Sequence, residues 1–211
     1  MRGKVTVTLI YLKISMKKIS FYKWCKKRLK REYRKLKEEY EFEMAHSTVV
    51  LEEDVHIKHR ERLHLGKHIY ICRGTLLECG GERWCNYGGG ISIGDYVYID
   101  PYAVLLGAGE IEIKRRSSIG HAVLITSYAP DVTKIMKDES VRDNPIMPHE
   151  FGKVTIEEDV MIGPHCIILK GVTIGRNAKI TGGSIIRHDV PPDSFIFPDT
   201  KFHNRKYIIK K

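Results

Sequence analysis

Histidine is the side chain whose proton comes and goes near neutral pH, and three histidines of this 211-residue chain stand where that property could be used. His121 follows Ile119-Gly120, and His165 follows Ile162-Gly163-Pro164. His149 lies four residues before Lys153. Each can act as a general base if a substrate hydroxyl or amine comes within hydrogen-bond reach. Each can equally be a solvated side chain on an outward face. Tyr128 and Asp131, between His121 and His149, can orient a base or a substrate. Cys79 and Cys85 flank Gly-Gly-Glu-Arg-Trp. They could bind a metal, but no CxxC pair accompanies them, so they read as unpaired loop thiols. The stretch 79–90, C-G-G-E-R-W-C-N-Y-G-G-G, could cradle a phosphate on backbone N–H groups. It lacks the lysine and the spacing of a P-loop and reads as a protruding loop.

The elements that must position these residues follow from a period of six. Isoleucine recurs at 156, 162, 168, 174, 180 and 186. Four residues after each comes a small or apolar side chain: Val160, Cys166, Val172, Ala178, Ser184 and Val190. A helix needs a period near 3.6 and an ordinary strand a period of 2, so this is a repeat. Six residues make one short strand and one corner. Three such units close a triangular coil, one full turn running from Ile156 to Ile174. A single coil cannot bury its apolar side, so stacked coils supply the core. Gly163 and Gly175, directly after their isoleucines, suit backbone that is tightly turned or closely approached.

The same spacing appears earlier. Leu65, Ile71 and Leu77 keep it, as do Ile93, Ile99 and Leu105, then Ile113, Ile119 and Ile125. Residues 51–62 read as a degenerate first coil. After Ile125 the next rung is Ile156, far beyond the single hexad that would do, so the segment between them loops out. A loop that long in a compact domain is usually functional or disordered. The domain reading is a basic N-terminal arm at 1–50, repeats at 51–195 with a loop at 127–153, and a basic tail at 196–211.

Net charge is +10, with 14 Lys/Arg against 5 Asp/Glu in residues 1–50 and 22 against 21 in the rest. The arm is therefore the basic part. Residues 4–14 can form a short strand. Phe21, Cys25, Leu29, Tyr33, Leu36 and Tyr40 form a helical stripe over about 20–45. The stripe reads first as a packing face and second as a peripheral contact with an anionic membrane surface. No nucleic-acid module is legible. Five cysteines argue against a disulfide framework, and no apolar run approaches a membrane span. These features point to a cytoplasmic protein, with the inner membrane surface as the one peripheral alternative.

The hexads resemble those of the hexapeptide-repeat acyltransferases, from about Leu65 to about Val190. The segment Glu150-Phe151-Gly152-Lys153-Val154-Thr155-Ile156 is similar to E-x-G-K-x-V-x-I-G of the maltose, galactoside and polysaccharide O-acetyltransferase branch. Arg187-His188-Asp189-Val190-Pro191-Pro192-Asp193-Ser194 is similar to its K-D-V-P-x-x-S. The resemblance implies an all-β fold, a left-handed parallel β-helix with an N-terminal basic helix and a long excursion loop. It implies an acetyl-CoA-dependent transferase acting on a sugar hydroxyl or amine. It also implies a homotrimer with sites between adjacent prisms. Where the branch carries its catalytic histidine, in T-x-x-H-P, this chain reads Thr126-Ser127-Tyr128-Ala129-Pro130. Its closing G-N-P-A-K is here Phe197-Pro198-Asp199-Thr200-Lys201. Other branches place a histidine as I-x-H-x-x-x-[VIL], which matches His121. The base is therefore expected at His121, with His149 and His165 as alternatives. Lys170 and Lys201 are expected on coenzyme A phosphates, and Tyr128 and Asp131 on the acceptor. Two other readings stay open. A β-helix without catalysis fits the missing loop histidine. A γ-carbonic-anhydrase-like zinc enzyme fits Ile119-Gly120-His121, but its second histidine would fall at Thr126, so no metal is expected.

Overall fold

A computed structural model describes residues 26–34, 48–86, 88–138, 140 and 147–198, together with the backbone of 208–210. The chain divides into two compact units, Met1–Ser47 and Thr48–Lys211. In the first, residues 26–34 are helical. Leu29 and Tyr33, one turn apart on the apolar stripe, are both exposed. The expected strand at 4–14, the remaining stripe positions and Lys201 lie outside the described residues. No helix among the described residues is long and apolar enough to cross a membrane.

The second unit is a three-sided parallel β-helix. Face A stacks Val50–Leu51, Tyr70–Ile71, Tyr98–Ile99, Ser118–Ile119, Met161–Ile162, Lys179–Ile180 and Phe195–Phe197. Ile208–Lys210 closes it antiparallel to Phe195–Phe197. Face B stacks His56–Lys58, Leu76–Glu78, Val104–Leu106, Leu124–Thr126, Ile167–Ile168 and Ile185–Ile186. Face C stacks Leu63–Leu65, Ile91–Ile93, Ile111–Ile113, Val154–Ile156 and Thr173–Ile174. Residues 50–65 thus form a complete first coil with a strand on each face.

The hexad spacing becomes register. Ile156 pairs Ile174, Ile162 pairs Ile180, and Ile168 pairs Ile186, so every rung lies directly on the rung three hexads earlier. These side chains, with Val160, Cys166, Val172, Ala178 and Ser184, are buried and fill the prism. Each buried isoleucine contributes about 1.5–3 kcal/mol of transfer free energy, and the column repeats it coil after coil. Gly163 and Gly175 have ordinary φ and serve close approach. A Cβ on Gly163 would strike the backbone of Gly182, and one on Gly175 the backbone at Pro191 and Pro192. The left-handed turn falls two residues later, at His165 (φ 56°) and Asn177 (φ 59°).

Strands fixed in register cannot lengthen, so extra residues leave at corners. The connections from face B to face C are 59–62, 79–90, 107–110, 127–153 and 169–172 in successive coils. Both long insertions therefore leave from one corner, separated by the short link Gly107-Ala108-Gly109-Glu110. Ser118 pairs Met161 across the excursion, whereas Met161 pairs Lys179 after a plain coil of three hexads. The strands on either side of the excursion are thus as closely stacked as any others, and all the surplus chain is carried by the corner.

Candidate functional site

The corner between faces B and C is built from three layers. In the lowest, the insertion 79–90 folds back on itself, and Gly81 N–H donates to the Gly88 carbonyl at 2.8 Å. A 3-10 turn, Arg83–Cys85, lifts Trp84. Gly80, Gly81 and Gly89 have positive φ, which L side chains avoid. The insertion is held from below. His59 bridges Glu61 and Glu82 at 3.3 and 3.1 Å, and Arg62 Nη1 donates to the Gly89 carbonyl at 3.0 Å. It is thus a packed platform rather than a plain protruding loop. Cys79 and Cys85 are free and buried. Burial pushes the Cys79 thiol up to about 12, which removes it as a nucleophile near neutral pH.

The middle layer is the short link. Ser127 Oγ donates to the Leu106 carbonyl and accepts from Gly109 N–H, both at 2.8 Å. A Cβ on Gly109 would collide with the Ser127 carbonyl and the Gly152 nitrogen. Glycine here lets the excursion lie directly on the link.

The upper layer is the root of the excursion. Tyr128–Pro130 pairs antiparallel with His149–Phe151, placing Ala129 opposite Glu150 and Pro130 opposite His149. Asp131 caps the short helix Val132–Lys137 by accepting from Lys134 N–H at 3.0 Å. Its own N–H donates to the Pro148 carbonyl at 2.9 Å. That helix N–H bond, with Lys134 Nζ at 3.2 Å, holds the Asp131 carboxyl below its usual range. Lys170, from the link 169–172, meets Glu150 at 2.8 Å.

The layers meet in an aromatic cluster. The Trp84 ring centroid lies 4.8 Å from those of Tyr128 and His149 and 6.2 Å from that of Phe151. Tyr128 and His149 are edge-on at 5.5 Å. Burial, then the charge of Glu78, raises the Tyr128 phenol above its usual range. Nδ1 of His149 is buried and has no hydrogen-bond partner.

The other histidines sit at the corner between faces A and B. Tyr102, His121 and His165 occupy successive coils there, with ring centroids 5.6 and 5.5 Å apart and both contacts edge-on. His165 N–H donates to the His121 carbonyl at 2.8 Å. Both imidazoles are exposed. The strand Leu124–Thr126 separates His121 from the excursion's root. So the structure gathers Tyr128, Asp131, His149 and Lys170 at one corner and His121 and His165 at another. Trp84 escaped sequence reasoning as a site residue. Its signal was a lone tryptophan inside a glycine-rich insertion.

Residues 153–188 match the family model described as bacterial transferase hexapeptide (six repeats). Galactoside O-acetyltransferase of Escherichia coli K12 is 30% identical over 167 residues, covering 73% of this chain and 68% of that one. The dTDP-4-amino-4,6-dideoxy-D-glucose acyltransferase of Escherichia coli is 30% identical over 106 residues, and the match spans about half of each protein (48% and 53%). Among solved structures, a hexapeptide-repeat acetyltransferase of Vibrio cholerae in complex with acetyl coenzyme A superposes with a TM-score of 0.55 at 25% identity, covering 72% of both chains. The stacked faces, the ladder register and a relationship that covers 73% of the chain agree: this chain belongs to the hexapeptide-repeat acyltransferases, built on a left-handed parallel β-helix.

Proposed function

We propose that this protein transfers an acyl group, with acetyl the first choice, from a coenzyme A thioester to a hydroxyl or amine of a sugar, nucleotide sugar or glycan. The observation that carries this reading is the identity to galactoside O-acetyltransferase over 73% of the chain. It reaches well beyond residues 153–188, the segment that the family model matches. The relative that acylates a dTDP-linked amino sugar and the neighbour that binds acetyl coenzyme A support the same class. The reaction needs a proton acceptor for the attacking group and cations for a polyanionic co-substrate. The proton acceptor is one of His121, His165 and His149. Lys170 is a cation at the excursion's root, where coenzyme A phosphates would compete with Glu150 for it, and Lys201 is expected to add to it.

The working unit in this reading is a homotrimer. Face B supports it: above His56 of the first coil, one of its two outward rows is aliphatic and half-buried, Leu76, Val104, Leu124, Ile167 and Ile185, beside a mixed row of Lys58, Glu78, Leu106 and Thr126. The same positions on face C are His64, Ser92, Glu112, Thr155 and Thr173. An aliphatic row on the outer side of a sheet is stabilised by being covered. Leu124→Arg should reduce the mass found by light scattering to one third, and an unchanged mass would remove face B as the interface.

The function is tested by coenzyme A release from acetyl-CoA against a panel of free sugars, nucleotide sugars and oligosaccharides. Acceptor-dependent release is the expected result. Acetyl-CoA that neither binds nor turns over with any acceptor would favour a β-helix without catalysis.

A further inference from the structure

We infer that the helix at 26–34 docks the protein on an anionic lipid bilayer. It lies along the surface, with Leu29 and Tyr33 at the acyl boundary and its cations among the headgroups. Docking of this kind stands apart from the acyl-transfer reading and concerns where the protein works.

Two sets of side chains share this one helix. Six of its residues are cations, Lys26, Lys27, Arg28, Lys30, Arg31 and Arg34, against the single carboxylate of Glu32. The others are Leu29 and Tyr33, one turn apart and each 69% exposed. At about 100° per residue, Leu29 and Tyr33 fall within about 40° of each other on the helix circumference. Arg28 and Lys30 then stand on either side of Leu29, while Lys27, Arg31 and Arg34 stand across the helix from it. In the sequence the same apolar spacing continues to Leu36 and Tyr40.

A bilayer surface suits both sets at once. Leucine gains by leaving water for the acyl boundary, and the amphipathic ring of tyrosine is at home at headgroup level. Lys and Arg stems lie along apolar surface and carry their charged ends to the phosphates. The charge is also placed for it. Residues 1–50 hold 14 Lys/Arg against 5 Asp/Glu, and the rest of the chain 22 against 21, so a negative surface attracts the arm before anything else.

Other occupants fit one set and not the other. Like charges stand one turn apart at Lys26 and Lys30, at Lys27 and Arg31, and at Lys30 and Arg34, an arrangement that destabilises a helix. Glu32 meets Arg31 at 3.8 Å, with both side chains at least half exposed, so that pair is well screened by water. An anionic surface relieves the repulsion. An uncharged apolar partner leaves it in place, and a second copy of the same helix adds to it. Nucleic acid would engage the cations through its phosphates and leave Leu29 and Tyr33 in water.

The test uses the full chain with vesicles of phosphatidylcholine alone and of phosphatidylcholine and phosphatidylglycerol in equal parts. The chain should float with the anionic vesicles only, and added salt should release it. Lys30→Gln with Arg34→Gln should lower the partition constant about 25-fold, since each cation near an anionic surface contributes about fivefold. Leu29→Ala with Tyr33→Ala should lower it about tenfold or more. Neither pair should move the denaturation midpoint. With Trp24→Phe and Trp84→Phe removing the two native tryptophans, Tyr33→Trp reports from the helix alone. Its emission should shift to the blue on anionic vesicles and be quenched by lipids brominated in their acyl chains. Flotation with neither vesicle, or equally with both, would overturn the docking, and so would anionic binding without quenching. Tighter binding to a duplex oligonucleotide than to the anionic vesicles would assign the helix to nucleic acid instead. A lower mass by light scattering for Leu29→Ala with Tyr33→Ala, at unchanged flotation, would assign the stripe to a neighbouring subunit. Coenzyme A release enters none of these readouts, so docking is decided whether or not any sugar is acylated. Flotation of the parent chain also stands if a substituted chain does not fold.

Discussion

Between Val154 and Val190 the chain repeats coil upon coil without interruption, with an aliphatic side chain at each inward strand position. At the corner between faces B and C, in the three coils before that, the connections are 79–90, 107–110 and 127–153, no two alike. The two regions share a backbone plan and differ in what holds them. The ladder is held by identical apolar contacts, each indifferent to anything outside its own column. The corner is held by unlike contacts that meet once: Trp84 on His149, His59 on Glu82, and Gly109 under Ser127. A change in the ladder should therefore act on folding. A change at the corner should act on the placement of a few side chains while the prism survives.

The largest expected effect is in the ladder. Ile174 is fully buried, pairs Ile156 and bridges to Val190. Ile174→Ala should cost about 2–5 kcal/mol, read as a shift in the denaturation midpoint, with activity per folded molecule retained. A similar loss of activity in molecules that remain folded would break the division of labour. Gly109→Ala should be smaller in stability, about 1–3 kcal/mol for an overpacked contact, and larger in activity, because the excursion's root must lift from the link. Retained activity would show that the two insertions need not touch. The smallest effect is the pH response of the His59 bridge. The hydrogen bond to Glu82, then that to Glu61, outweighs partial burial and raises the His59 pKa above its ordinary 6.5. A raised pKa means that the bridge's contribution is complete below about 6.5. It is lost as pH rises through the folded-state value. Trp84 emission in the Trp24→Phe chain should report a looser insertion on that alkaline side, and His59→Gln should abolish the transition. A transition that persists in His59→Gln would assign it elsewhere.

How much of this was legible beforehand depends on sequence distance. The isoleucine ladder is local: each rung sits one hexad from the next, so inward positions, coil length and the size of the excursion can be counted from the chain. The glycines were half legible. The sequence offers close approach or a tight turn for Gly163 and Gly175, and the structure selects close approach and gives the turn to His165 and Asn177. The aliphatic outer column of face B is also written in the sequence, beside every third rung, but a period of three hexads hides it behind the stronger period of one.

The amino-acid sequence by itself determined the prism. In a three-cornered coil a residue's place within the turn fixes its face and its direction, and apolar side chains at inward positions leave the backbone no other way to bury them. Only the tertiary structure decided which histidines share a neighbourhood. Trp84 and His149 lie in separate insertions with several complete hexads between them, and nothing in their own hexads links them. They meet because both insertions leave from one corner across a link small enough to let them touch. His121, closer in sequence to the excursion, is held one strand away at another corner, since strands in register cannot slide to bring it round.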